Sequence, residues 1–102
     1  MGVLHLVNRS PHQSASLAQC LARVGDGDAV LLLEGAVYAA LKGSAAAPGL
    51  QEALARVAVY VLAPDLAARG VAAEEVAEGL ALVDYEGFVE LSLRHAPIQS
   101  WF

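Results

Sequence analysis

Val57-Ala-Val-Tyr-Val-Leu-Ala-Pro-Asp-Leu-Ala-Ala-Arg-Gly70 reads as a strand followed at once by a helix. Residues 57 to 62 are apolar throughout and rich in β-branched and aromatic side chains, which suit a pleated, buried surface. Pro64 stands where a helix begins, because a first-turn residue loses no hydrogen bond by lacking an N–H, and Gly70 stands where one ends. A strand that is apolar at every position is expected when both faces of its sheet are covered, as in parallel sheets.

The same alternation extends outward in both directions. On the N-terminal side, Val3 to Val7 is a strand stopped by Asn8-Arg-Ser-Pro11. Ser14 to Val24 has helical spacing, with Leu17, Leu21 and Val24 at i, i+4 and i+7. Gly25-Asp-Gly-Asp28 is a turn, Ala29 to Leu33 a second apolar strand, Gly35 to Leu41 a short helix, Gly43 to Gly49 a loop, and Leu50 to Arg56 a helical turn or two. On the C-terminal side, Ala72 to Glu78 is short and acidic, and Leu80 to Val83 is a strand. Asp84 caps a helix running to about His95, and Pro97 to Phe102 is a terminal extended piece. Strands and helices alternating through short loops predict a single domain over residues 1–102. Its fold class is α/β, a three-layer α/β/α sandwich around a mostly parallel sheet of about five strands.

The chain has 102 residues, 57 % apolar and 17 % charged, with a formal net charge of −5. So much apolar material excludes disorder, although 21 of the apolar residues are alanines that bury little area each. A domain this small and this poor in charge is expected to hide part of its surface against another subunit. Lys42 is the one lysine, and six basic residues face eleven acidic ones. No basic run exists to track a phosphate backbone, so direct binding of nucleic acid is not expected. No charge-free run approaches the roughly 20 residues of a membrane span. The first residues lack the basic region, long apolar stretch and cleavage site of a signal peptide, and the lone Cys20 has no disulfide partner in the chain. Together these point to the cytoplasm.

The commonest cofactor and metal motifs are absent. There is no GxxxxGK[ST], and Gly25-Asp-Gly27 does not continue as a dinucleotide fingerprint. His5, His12 and His95 lie far apart, with no CxxC or HExxH, and no GxSxG surrounds a serine. Neither metal nor cofactor is expected. Polar residues do fall at the carboxyl ends of the strands, where open α/β sheets place their sites: Asn8, Arg9 and Ser10, then Glu34, Asp65 and Asp84. The plainest account makes Ser10, Asp65 and Asp84 helix caps and puts Glu34 in solvent. Arg9 and His12 around Ser10 offer a place for a small anion.

Cys20 admits two readings. On a helical wheel it lies at the margin of the Leu17–Leu21–Val24 stripe, about 60° from Arg23 and about 40° from Ser16. A marginal thiol can be reached, and Arg23 at i+3 favours its thiolate. The other reading makes it a small buried hydrophobe.

In their order and spacing, several segments resemble the DsrH/TusB family. They are His5-Leu-Val-Asn-Arg-Ser-Pro11, Gly27-Asp-Ala-Val-Leu-Leu-Leu-Glu34, Val37-Tyr-Ala-Ala40, Tyr60-Val-Leu-Ala-Pro-Asp-Leu-Ala-Ala-Arg-Gly70, Val83-Asp-Tyr-Glu-Gly-Phe-Val-Glu90 and Ile98-Gln-Ser-Trp101. Gly35-Ala36 departs from the family's pattern, in which Asp-Gly or similar follows the glutamate. The resemblance implies a DsrE/F/H-type sandwich in a heterohexamer with DsrE/TusD-like and DsrF/TusC-like subunits, with a DsrC/TusE-like protein as a possible acceptor. Such a complex passes persulfide sulfur toward tRNA wobble-uridine 2-thiolation (TusBCD-like) or in dissimilatory sulfur oxidation (DsrEFH-like). The principal active cysteine then belongs to a partner subunit. DsrH-type members are similar in having a cysteine where Cys20 stands, which many TusB-type members lack, so the resemblance leans toward DsrH. The resemblance therefore makes Cys20 a candidate persulfide carrier, with Arg23 as thiolate support. The two function classes beside it are a purely structural subunit and a small-ligand-binding α/β module. If Cys20 is a carrier, its thiol should be partly solvent-accessible near the end of the first helix, and Cys20→Ser should be tolerated. The apolar end Ile98-Gln-Ser-Trp-Phe102 is expected to be exposed as part of a docking surface.

Overall fold

The computed structural model describes residues 2–102, in which the apolar runs form one five-stranded sheet. The strands are β1 (Leu4–Val7), β2 (Ala29–Leu32), β3 (Ala58–Leu62), β4 (Ala81–Val83) and β5 (Ile98–Trp101). Every neighbouring pair is parallel, in the order β4-β3-β2-β1-β5. The terminal extended piece is thus a fifth strand, with Leu4 opposite Ile98 and Val7 opposite Trp101.

Strand order dictates where the helices lie. From β1 to β4 each crossover steps to the next strand in one direction, so right-handed connections put all of their helices on one face. The four larger ones are α1 (Ser16–Leu21), a 3₁₀ helix Glu34–Ala40, α2 (Ala47–Ala53) and α3 (Ala63–Ala68), and a single 3₁₀ turn, Ala73–Glu75, follows α3. Side chains from all four elements join Val7, Val30, Leu32, Val59 and Val61 of the sheet in the larger core cluster. The last crossover returns across the whole sheet and carries α4 (Tyr85–Arg94) onto the opposite face. There Leu91 and Phe88 pack on Leu4, Ala29, Leu31 and Leu62. The expected three layers are present, but the third is a single helix.

Several boundaries move for local reasons. α1 is shorter than its periodicity suggests because the Ser14 hydroxyl takes the Ser16 N–H (3.1 Å) and blocks earlier helical bonding. At its other end the N–H groups of Arg23 and Val24 both reach the Cys20 carbonyl, which tightens the last turn. α2 begins inside the expected loop, with Pro48 in its first turn. Gly70 leaves α3 at φ +71°, the left-handed conformation that costs glycine least. Asp84 caps α4 as expected, its Oδ1 accepting the Gly87 N–H at 2.8 Å. No helix among the described residues is long and apolar enough to cross a membrane.

Candidate functional site

Cys20 faces the sheet from the last turn of α1, in the larger core with Leu17 and Val24, and has no exposed surface. This corrects the expected accessibility. Six helical residues cannot define a face by themselves, and Trp101 arrives from the far end of the chain to pack on the same core. Burial pushes the Cys20 thiol up to about 12, and the nearby Asp28 charge pushes the same way. The guanidinium of Arg23, the residue expected to support the thiolate, lies over the Trp101 ring, 6.0 Å from the centroid.

A polar chain runs beside this thiol. Trp101 Nε1–H donates to His5 Nδ1 at 3.1 Å. An indole N–H can only donate, so Nδ1 must accept, and the proton of the neutral ring sits on Nε2. From there it donates to Asp28 Oδ2 at 2.8 Å. Asp28 also accepts the Gly25 N–H and the Val3 N–H, each at 2.9 Å. Burial alone would raise the Asp28 carboxyl; the bonds from Gly25, His5 and Val3 outweigh it and hold the carboxyl below the usual range. The chain fastens β5, β1 and the turn before β2 together. Trp101 is therefore half-buried and engaged, whereas Ile98 and Phe102 remain exposed as expected.

At the carboxyl ends of the strands Asp84 caps its helix, whereas Asn8, Glu34 and Asp65 bond to one another. Asp65 lies inside α3 and its Oδ2 accepts the Glu34 N–H at 2.6 Å. Glu34 is exposed and adopts φ +50°, a left-handed conformation that costs a non-glycine residue about 1 kcal/mol or more. Its Oε1 accepts from Asn8 Nδ2 at 3.3 Å. Gly35 follows because a Cβ there would come within 3.3 Å of the Ser10 backbone nitrogen. Ser10 forms a local turn, its Oγ accepting the His12 N–H at 3.2 Å. Beside these residues opens a cleft of about 680 Å³, whose lining includes Ser10, His12, Tyr38, Lys42, Ser44 and Arg69. Lys42 and Arg69 are far from His12 in the sequence, and only the return of the 3₁₀ helix and α3 to one end of the sheet unites them. The expected Arg9 is exposed and outside that lining.

The second face carries the other feature of note. Tyr85, Val89 and Leu93, at i, i+4 and i+8 on α4, are 59 %, 56 % and 78 % exposed. They form a narrow apolar stripe pointing away from the sheet.

Residues 9–98 match the model of the family described as DsrH like protein. The chain is 38 % identical over 99 residues to Protein TusB of Pectobacterium parmentieri, covering 97 % of this chain and all of that protein. It is 34 % identical over the same span to Protein TusB of Escherichia coli K12, with the same coverage. In backbone shape it is similar to the YchN protein from Escherichia coli, at a TM-score of 0.81 and 17 % identity over 98 % of both chains. A Methanobacterium thermoautotrophicum protein of unknown function has a TM-score of 0.79 at 14 % identity, over 96 % of both chains. These two likenesses support the fold.

Proposed function

The chain belongs to the DsrH-like family, and from that membership we propose that it works as a docking subunit of a sulfur-relay complex. Its partners are DsrE/TusD-like and DsrF/TusC-like subunits in a cytoplasmic heterohexamer, with a DsrC/TusE-like acceptor taking the sulfur onward. The whole chain, 1–102, acts as one domain, and the principal sulfur-carrying cysteine lies on a partner. Relatives named TusB match along their entire length, which favours the tRNA wobble-uridine branch over sulfur oxidation.

The observation carrying this reading is the exposed apolar stripe Tyr85–Val89–Leu93, to which the chain adds exposed Ile98 and Phe102. Large apolar side chains grouped on so small a domain favour burial in an interface. Co-expression with the two partner types, followed by sedimentation, tests it. A complex containing this chain is expected, and Leu93→Glu should release the chain from it. A clean monomer that ignores both partners sinks the reading.

Cys20 as a persulfide carrier is a second reading, favoured by one feature of α1. That helix has six residues and no side-chain cap, so a local opening that exposes the thiol has little helical bonding to break. Once exposed, the Cys20 thiolate attacks the outer sulfur of a donor persulfide. The donor S–S bond breaks, the donor leaves as a thiolate, and Cys20 gains one sulfur, about 32 Da. Resistance to both iodoacetamide and sulfur loading in the full complex eliminates the carrier role.

A further inference from the structure

We propose that the cleft at the carboxyl ends of β1 and β2 binds a small ligand bearing a tetrahedral oxyanion, with His12, Lys42, Arg69 and the Ser10 hydroxyl as its anchors. This does not rest on the sulfur-relay reading. The chain has eleven acidic residues and a net charge of −5, yet among the described residues no carboxylate lines the cleft, whereas Lys42, Arg69 and the imidazole of His12 do. Two of the other arginines are already engaged: Arg56 pairs with Asp26, and Arg23 lies over Trp101. Lys42 and Arg69 form no ion pair among the described residues.

Ser10 gives the site its fixed donor. It is nine-tenths buried, accepts the His12 N–H, and has no acceptor for its own O–H among the described residues. An oxyanion in the cleft supplies that acceptor. The cleft, at about 680 Å³, is larger than a bare ion needs. Tyr38 and Leu41 on its wall can cover an organic portion. The location also agrees with open α/β sheets, which bind ligands beyond the carboxyl ends of their strands.

Calorimetric titration of the full chain at low salt tests the site with three probes: inorganic phosphate, glycerol phosphate and thiosulfate. Saturable binding of at least one is expected. Tighter binding of glycerol phosphate identifies a phosphate monoester as the natural class, and tighter binding of thiosulfate identifies a sulfur oxyanion. Lys42→Ala should weaken binding about tenfold, the scale of one lost charge-assisted hydrogen bond, and Ser10→Ala by a smaller factor. Lys42 is exposed and no side-chain hydrogen bond holds it, so its variant keeps the fold and carries the test even if Arg69→Ala, which loses the bond to the Asp65 carbonyl, does not. Arg94→Ala, on α4 and outside the cleft, should bind as wild type does. No binding of any probe at millimolar concentration, or equal weakening by Lys42→Ala and Arg94→Ala, overturns the proposal.

Discussion

The two faces of this sheet solve the same problem with unequal means. One face lies beneath four helical elements, and the side chains that β1, β2 and β3 turn toward them are buried, while Leu82 on the edge strand β4 stays 40 % exposed. The other receives one ten-residue helix, whose outward side presents Tyr85, Val89 and Leu93 to solvent. The difference follows from strand order: three crossovers march one way and one returns, so the helices divide three connections to one. A small domain whose topology leaves one face thinly clad gains most by covering it with a neighbour. The sealed face determines whether the chain folds, and the thin face determines what it joins.

The largest test of this division is on the sealed face. Leu32→Ala should cost about 2–5 kcal/mol in urea unfolding, since a fully buried leucine leaves a cavity that rigid packing cannot close. Next comes the polar seam beside it. Asp28→Ala strands three donors and should cost about 2–3 kcal/mol.

The same carboxylate predicts an acid response of known sign. Asp28 is held below the usual range in the fold, so its stabilisation is complete above its unfolded value of about 4. It is lost as the pH falls through the lower, folded value. Unfolding free energy measured against pH should therefore fall less steeply in Asp28→Asn than in wild type over that acid window.

Cys20→Ser sharpens the comparison at about 1–3 kcal/mol, because a hydroxyl replaces a thiol that has no exposed surface. This reverses the tolerance expected of a marginal position, and a thermal melt decides it. Asp84→Ala removes the α4 cap and should cost about 1 kcal/mol. The smallest effect on folding belongs to Leu93→Glu, which should change stability by less than about 0.5 kcal/mol while abolishing assembly in sedimentation. Equal losses of stability from Leu32→Ala and Leu93→Glu would erase the distinction between the faces.

Local chemistry carried the parts of the structure that were legible in the sequence. The apolar run from Val57 to Leu62, Pro64 with Gly70, and Asp84 before Tyr85 act within a few residues of themselves, and each does what its chemistry requires. Residues fixed by distant neighbours were not legible. Cys20 appears marginal on a wheel drawn for α1, yet Trp101, brought in by β5, helps close the side it occupies. Asp65 resembles a cap until the Glu34 N–H, displaced by its left-handed backbone, becomes its donor. His12, Lys42 and Arg69 have no common spacing, so their convergence is a product of topology alone. The strand-end polar cluster was readable as a location, because carboxyl ends of parallel strands gather loops, but its network of partners was not.

The pairing of β1 with β5 also has a consequence in time. β1 is made before its outer neighbour, and the entire intervening chain must be synthesised before Ile98 can lie beside Leu4. Until then the emerging protein carries β1 with one edge unpaired, an open template for any strand nearby. The clasp of Trp101, His5 and Asp28 can form only when that edge is filled. A chain truncated before Ile98 would thus keep the residues of β1 to β4 but leave the outer edge of β1 open. That open edge invites pairing with other strands, and one indole closes the seam when it arrives.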